Sequence, residues 1–341
     1  MSLPKVAVVI LNWNGKDFLQ KFLPNILSNS PEGSIYVADN ASTDDSINLL
    51  KEKFPEVNIV INDSNGGFAK GYNDALKKIE SEYYVLLNSD VEVSENWIEP
   101  IIKLMDIDRS IAACQPKILD YNNKSKFEYA GAAGGFIDKY GYPFCRGRIF
   151  NDIEEDTNQY NDIREIFWAT GACMFVRASV YHNLQGFDAD YFAHMEEIDL
   201  CWRMKNTGHK IFVVPSSVVY HVGGGTLNKV NPRKTYLNFR NNLITLLKND
   251  QSGTLFFKFW YRLVLDGVAG IVFILKGDFS HCIAIIKAHF SVYGSLGKTL
   301  SKRKAFKTLP NFTPSKTQIL NNNIVFLNQI KKVKKFLDIN W

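Results

Sequence analysis

Strand and helix patterns take turns over residues 1–120, and no other feature limits the fold as tightly. Val6–Leu11 (VAVVIL), Ile35–Asp39 (IYVAD), Val57–Asn62 (VNIVIN) and Tyr83–Asn88 (YYVLLN) are short apolar runs rich in β-branched and aromatic residues. Each ends in polar turn residues. Helical spacing fills the gaps: Phe18, Phe22, Leu23 and Ile26 share a face, as do Ile47, Leu50 and Phe54, and Tyr72, Ala75, Leu76 and Ile79. The alternation predicts βαβ units and an α/β fold whose mostly parallel, Rossmann-like sheet is flanked by helices. Ligands of such sheets bind beyond the carboxyl ends of the strands, so chemistry is expected just after each run.

Those positions hold Asn12-Trp13-Asn14-Gly15, Asp39–Asp45, Asn62–Phe68 and Asn88-Ser89-Asp90, with Asn65-Gly66-Gly67 opening a helix. Turns and N-caps use these residue types anyway, which accounts for Ser42–Asp45 as a helix cap. It accounts less well for a carboxylate or amide at the same rim from all four connections. No G-x-G-x-x-G follows the first strand and no GxxxxGK[ST] occurs, which argues against dinucleotide and P-loop sites. What remains is a nucleotide held by carboxylates and amides, with its phosphates on a cation. Hard oxygen ligands such as Asp90 suit Mg²⁺ or Mn²⁺.

Two later clusters add chemistry. Glu196, Glu197 and Asp199 open a helix, where the dipole favours acids, and their mutual repulsion would suit one of them to general-base work. Asp199 and Arg203 form an i,i+4 pair assigned to structure. His221 ends a strand before Gly223-Gly224-Gly225-Thr226, and reads either as a metal ligand or as an incidental turn residue.

Charge divides the chain. Residues 240–341 hold 16 Lys/Arg against 4 Asp/Glu, and residues 1–239 hold 24 against 31. The basic end reads as aromatic helices. Leu255–Leu275 is 21 residues, long enough to span a bilayer, but it contains Lys258, Arg262 and Asp266. An amphipathic pair lying on the inner leaflet through 250–310, backed by the Lys298–Lys307 basic cluster, is the expectation. The alternative is a helical subdomain packed on the body. No nucleic-acid fold signature accompanies the charge, and no nucleic-acid partner is expected. Five Cys without a CxxC pair, and no secretory pattern after Met1, suggest a cytoplasmic protein that is peripheral on the membrane at most.

The stretches 6–15, 37–46, 65–74, 83–93, 169–226 and 238–243 together resemble the family 2 inverting glycosyltransferases of the GT-A fold, in their rhamnosyltransferase-like branch. The resemblance implies transfer of a sugar from a nucleotide donor, with dTDP-rhamnose suggested by the branch. The acceptor is a hydroxyl of a saccharide or lipid-linked saccharide, in cell-surface polysaccharide assembly. It places Asn12, Asp39, Asn65, Gly66, Gly67, Asn88, Asp90 and Arg240 on the donor, the last as part of an Arg-Asn pair with Asn241. Gly171 and Trp168 fall on the acceptor side, and Asp90 and His221 at a Mg²⁺ or Mn²⁺. Glu197 is the catalytic base, with Glu196 as the alternative. Two departures stand out: Asn88 replaces the first acid of D-x-D, and Glu197 stands where the family has Asp. They leave open a degenerate scaffold that binds without turnover. A nucleotidyltransferase is disfavoured, because no basic residue precedes Lys16 in the first turn. The expected organisation is a catalytic domain over 1–245, with a nucleotide-sugar half to about 120 and an acceptor half from 121, then a basic helical region over 246–341.

Overall fold

The computed structural model describes residues 4–223 and 231–341. Its first half alternates as the sequence predicts: β1 (Val6–Asn12), α1 (Lys16–Ser28), β2 (Ser34–Asp39), α2 (Ser46–Lys53), β3 (Asn58–Ile61), α3 (Gly67–Leu76) and β4 (Tyr83–Asn88). A short β5 (Val91–Val93), α4 (Glu99–Ile107) and β6 (Ile111–Asp120) follow. The middle holds β7 (Gly135–Asp138), β8 (Pro143–Cys145), β9 (Arg148–Ile149), β10 (Asp152–Ile153), β11 (Arg164–Glu165), β12 (Cys173–Arg177) and α5 (Ala178–Asn183). Next come α6 (Glu196–Asn206) and β13 (Lys210–His221). The C-terminal part is α7 (Pro232–Asn249), α8 (Leu255–Leu275), α9 (Phe279–Gly294), α10 (Leu296–Lys307), β14 (Ile319–Leu320) and α11 (Ile324–Gln329).

The main sheet runs β11-β13-β6-β12-β4-β1-β2-β3, with β5 on β13. β3, β2, β1 and β4 are mutually parallel, and β12 is antiparallel to both its neighbours. Register puts Asn12 beside Asp39 and Leu11 beside Asn88, so the polar ends of these strands line up on one rim. The strands read as unbroken apolar runs because both faces are covered. Leu19, Phe22, Leu23 and Ile26 seal one face, and Tyr72, Ala75, Leu76 and Ile79 the other.

Within the stretch 121–165, antiparallel hairpin pairs β7–β8 and β9–β10 join into a second sheet, β10-β9-β8-β7-β14. Its last strand comes from the far end of the chain, where Phe336 and Trp341 pack on Phe136 and Phe144. The apolar run over 167–177 is a strand only in its second half, β12. This strand starts at Cys173, because Trp168 bridges to Gly135 and Thr170 donates its N–H to Gln115. Helix α7 runs through residues 245–246, its second half buried, so the basic region shares the body's core.

Candidate active site

The rim above β1–β4 is cross-braced by its own side chains. Asn12 Nδ2 donates to Asp39 Oδ1 at 3.1 Å and to Ser42 Oγ at 3.2 Å, while Ser42 N donates to Asp39 Oδ2 at 2.9 Å. Ser42 therefore braces the rim instead of capping α2. The capping contact comes from Asp44, whose Oδ1 accepts from Ser46 N at 3.1 Å. Asn12 Oδ1 is buried without a partner, a free acceptor next to Asp39. Asn65 Oδ1 accepts from Gly67 N at 2.9 Å and from Asn40 Nδ2 at 3.0 Å, fixing the turn into α3. Gly67 needs to be glycine: its φ is +79°, and a Cβ would lie 2.4 Å from Phe192 O.

β5 decides the next cluster. Its antiparallel pairing with β13 sets His221 opposite Val91, beside Asp90. His221 Nε2 lies 3.1 Å from Asp90 Oδ1 and 3.4 Å from the Asn88 amide nitrogen. On the ring's other side, Nδ1 is 3.2 Å from Glu128 Oε2, within ion-pair reach but off the line of a good hydrogen bond. Burial opposes charge on this imidazole, but Asp90 and Glu128 outweigh it and push it up to about 10. Gly223, at φ +72°, makes room for Glu128; a Cβ there would meet Oε1 at 2.8 Å. No three His, Cys, Asp or Glu among the described residues form a ready metal group. A carboxylate, an imidazole and an amide side by side are donor types that a divalent cation accepts, once the imidazole gives up the proton that Asp90 and Glu128 favour. Glu128 faces the ring from behind. Gly224, Gly225 and Thr226 lie outside the described residues.

The third cluster is the start of α6. Phe192, His194 and Met195 all adopt positive φ, at 64°, 70° and 75°. Such strain in non-glycine residues persists only where surroundings enforce it. Here the enforcing residue is Asn241, whose Nδ2 lies 3.0, 2.9 and 2.8 Å from the carbonyls of Tyr191, Ala193 and His194. The turn delivers Glu196 and Glu197. Glu196 is buried and Glu197 half-buried, and each has an Oε2 with no partner. Burial, then the charge of Glu197, pushes the Glu196 carboxyl well above the usual carboxylate range. Burial pushes Glu197 up to about 7, against backbone N–H groups at the helix start. Two carboxyls are thus raised side by side, each with an unpartnered oxygen, an arrangement chemically able to take a proton.

The β1–β4 rim, the Asp90–His221–Asn88 cluster and the paired glutamates of α6 are the three polar clusters of the candidate site. The glycosyl transferase family 2 model matches residues 7–185, more than half of the chain. The chain belongs to glycosyl transferase family 2. It is 24% identical to N-acetylglucosaminyl-diphospho-decaprenol L-rhamnosyltransferase of Mycobacterium tuberculosis, over 63% of this chain and 75% of the relative. It is also 24% identical to rhamnosyltransferase WbbL of Escherichia coli K12, over 63% of this chain and 83% of that one. Among solved structures it resembles GalNAc-T7 with UDP, GalNAc and Mn²⁺, with a TM-score of 0.56 and 17% identity. That likeness covers 72% of this chain and 48% of GalNAc-T7, about half its length, and it supports the GT-A fold.

Within this family 2 glycosyltransferase, two expected contacts take a different form. Arg240 Nη2 donates to Asp190 O, so it braces the strained turn together with Asn241. Trp168, expected on the acceptor side, is 3% exposed and gives its indole N–H to Phe136 O at 2.9 Å, so that donor is already taken. Gly171 lies against the Phe68 ring, 3.0 Å from a notional Cβ. Asp199 pairs with Arg203 at 2.9 Å as expected, and also with Lys248 at 2.8 Å. Glu128 was missed. The only local signal was one acid in an apolar, glycine-rich stretch, and its partner sits 93 residues later.

Proposed function

We propose that this enzyme moves a sugar from a nucleotide-sugar donor to a hydroxyl of a saccharide or lipid-linked saccharide, by a metal-dependent single displacement with inversion. L-rhamnose from its dTDP donor is the sugar suggested by the two rhamnosyltransferase relatives. The name of the mycobacterial relative supports a lipid-diphosphate acceptor, and with it work at the cytoplasmic face of a membrane in cell-surface polysaccharide assembly. Mn²⁺ beside UDP in GalNAc-T7 supports use of a divalent cation, Mg²⁺ or Mn²⁺.

The observation that carries the reading is the strained turn that delivers Glu196 and Glu197 together at the start of α6, each with a buried Oε2 that has no partner, in surroundings that raise both carboxyls. Asp39, Asn12 and the Asn65–Gly67 turn hold the nucleoside, the free Asn12 Oδ1 accepting from it. Asp90 and His221, with Asn88, would hold the cation, which neutralises charge on the leaving diphosphate. Glu197 takes the proton of the acceptor hydroxyl as its oxygen attacks the anomeric carbon. The bond to the diphosphate oxygen breaks on the opposite side, so the configuration inverts. Deprotonation by a placed carboxylate is worth about 10²–10⁴-fold.

The test is release of nucleoside diphosphate from a donor panel with saccharide acceptors, with the product's anomeric configuration read by NMR. The reading expects one donor to turn over with inversion, and Glu197→Gln to bind donor without turning it over. A retained configuration would contradict it. So would donor binding without turnover in the wild type under every acceptor, which would indicate a degenerate scaffold.

A further inference from the structure

Helix α8 is amphipathic in the reverse of the usual sense. Its charged residues point into the protein: Arg262 is 2% exposed and Asp266 1%. Arg262 Nη1 donates to Tyr140 O at 2.8 Å and lies 3.6 Å over the Tyr142 ring, while Asp266 Oδ2 meets His289 Nε2 at 3.1 Å. Its outer stripe is Phe257, Trp260, Val264, Val268, Ile271 and Leu275, all exposed, from 42% upward. Antiparallel α9 repeats the arrangement. His281 turns inward to Thr235 at 2.7 Å, while Phe279, Ile283, Ile286, Phe290 and Tyr293 face out. The i+3/i+4 spacing makes each stripe continuous along its helix. Together they expose apolar surface on the order of 1,000 Å², well beyond the largest patch of an ordinary soluble monomer.

We propose that the α8–α9 face is a membrane-docking surface that enters one leaflet of an anionic bilayer, with the helices lying in the interface. It rests on the proposed function only for the lipid-linked acceptor that makes docking useful. The inward-facing charges explain how a helix containing Arg262 and Asp266 presents a purely apolar outer stripe. They also keep α8 against the body, so it lies on the membrane. Among the described residues no helix is long and apolar enough to cross one. Charge selects the occupant. Residues 255–307 hold nine Lys/Arg and two Asp; Lys276 at the end of α8 and Lys287 on α9 are exposed, as are Lys304 and Lys307 on the following α10. A twofold contact with a second copy would bring these lysines onto one another, whereas anionic headgroups would neutralise them.

The test is co-sedimentation of the full chain with vesicles of phosphatidylcholine, with and without roughly 30% phosphatidylglycerol. Wild type should bind the anionic vesicles, more weakly in high salt. The Phe257→Glu/Trp260→Glu/Phe290→Glu variant should bind about 100-fold or more weakly, because three large apolar side chains no longer enter the leaflet. Transfer to a water-soluble acceptor should be unchanged in that variant, which separates docking from the catalytic reading. The proposal is overturned if wild type ignores the vesicles or if the variant binds equally well. It is overturned too if the wild type is a dimer without vesicles and the variant a monomer, since a second copy then covers the face.

Discussion

With burial pushing Glu197 up to about 7, small pH changes around neutrality should move the fraction of enzyme able to take a proton. A general base works ionised. The rate of transfer should therefore fall as pH drops through about 7 and level off above it. A rate flat from pH 5.5 to 8.5 would remove Glu197 from the role. Glu128 makes a different prediction. As the carboxylate behind His221, it fixes the ring that would hold the cation, so Glu128→Ala should weaken Mn²⁺-dependent donor binding about 10–100-fold. Titration calorimetry with Mn²⁺ and donor reads this directly, and unchanged affinity would make Glu128 purely structural. The sequence exposes Asp39, Asp90 and Glu197 because each follows an element whose pattern is local. Glu128 is hidden because its meaning depends on the β13 contact, set by pairing across 93 residues.

Between elements, the decisive contact is α7 on the turn before α6. Asn241 holds three carbonyls of a segment in which Phe192, His194 and Met195 sit at positive φ. Asn241→Ala frees that turn and removes Glu197 from its place. It should lower kcat while leaving donor affinity within about twofold, and reduce stability by about 1–3 kcal/mol through the unpaired carbonyls. Equal kcat in the variant would mean that the turn holds itself. The four parallel strands and the three helices between them are legible in the sequence because each strand is contiguous with the helix that follows or precedes it. The second sheet is not, because β14 arrives from residues 319–320 and no local pattern announces its partner at 137–138. β5 is too short, at three residues, to register as a strand, yet it sets His221 beside Asp90.

Over the whole molecule, the acidic body and basic end meet in a buried network. Lys248 lies 2.7 Å from Asp188 and 2.8 Å from Asp199 with no exposed side-chain surface, and Lys302 reaches Asp188 at 2.5 Å and Asp190 at 2.7 Å. Part of the basic cluster expected on the membrane is thus engaged by the protein's own acids and carbonyls, although Lys298 stays exposed. Lys298 and Lys302 pair with aspartates, and Arg303 donates to Leu247 O and Asp250 O. Lys248→Met should destabilise the fold by about 3 kcal/mol, by removing the buried cation that Asp188 and Asp199 share and leaving them to Lys302 and Arg203 alone. Denaturant unfolding checks it, and a loss below about 1 kcal/mol would show the carboxylates re-solvated. The charge division was legible by counting; which lysines turn inward was not, since that follows from where α10 docks. The central claim, a cation-dependent nucleotide-sugar site on the β1–β4 rim, is tested most directly by thermal stabilisation. Wild type and Asp90→Ala would each be measured against a panel of sugar nucleotides, with and without Mn²⁺. One donor at about 100 times its Kd should stabilise wild type by about 2.7 kcal/mol with Mn²⁺, much less without it, and Asp90→Ala hardly at all. No stabilisation by any sugar nucleotide, or equal stabilisation of Asp90→Ala, would contradict the account.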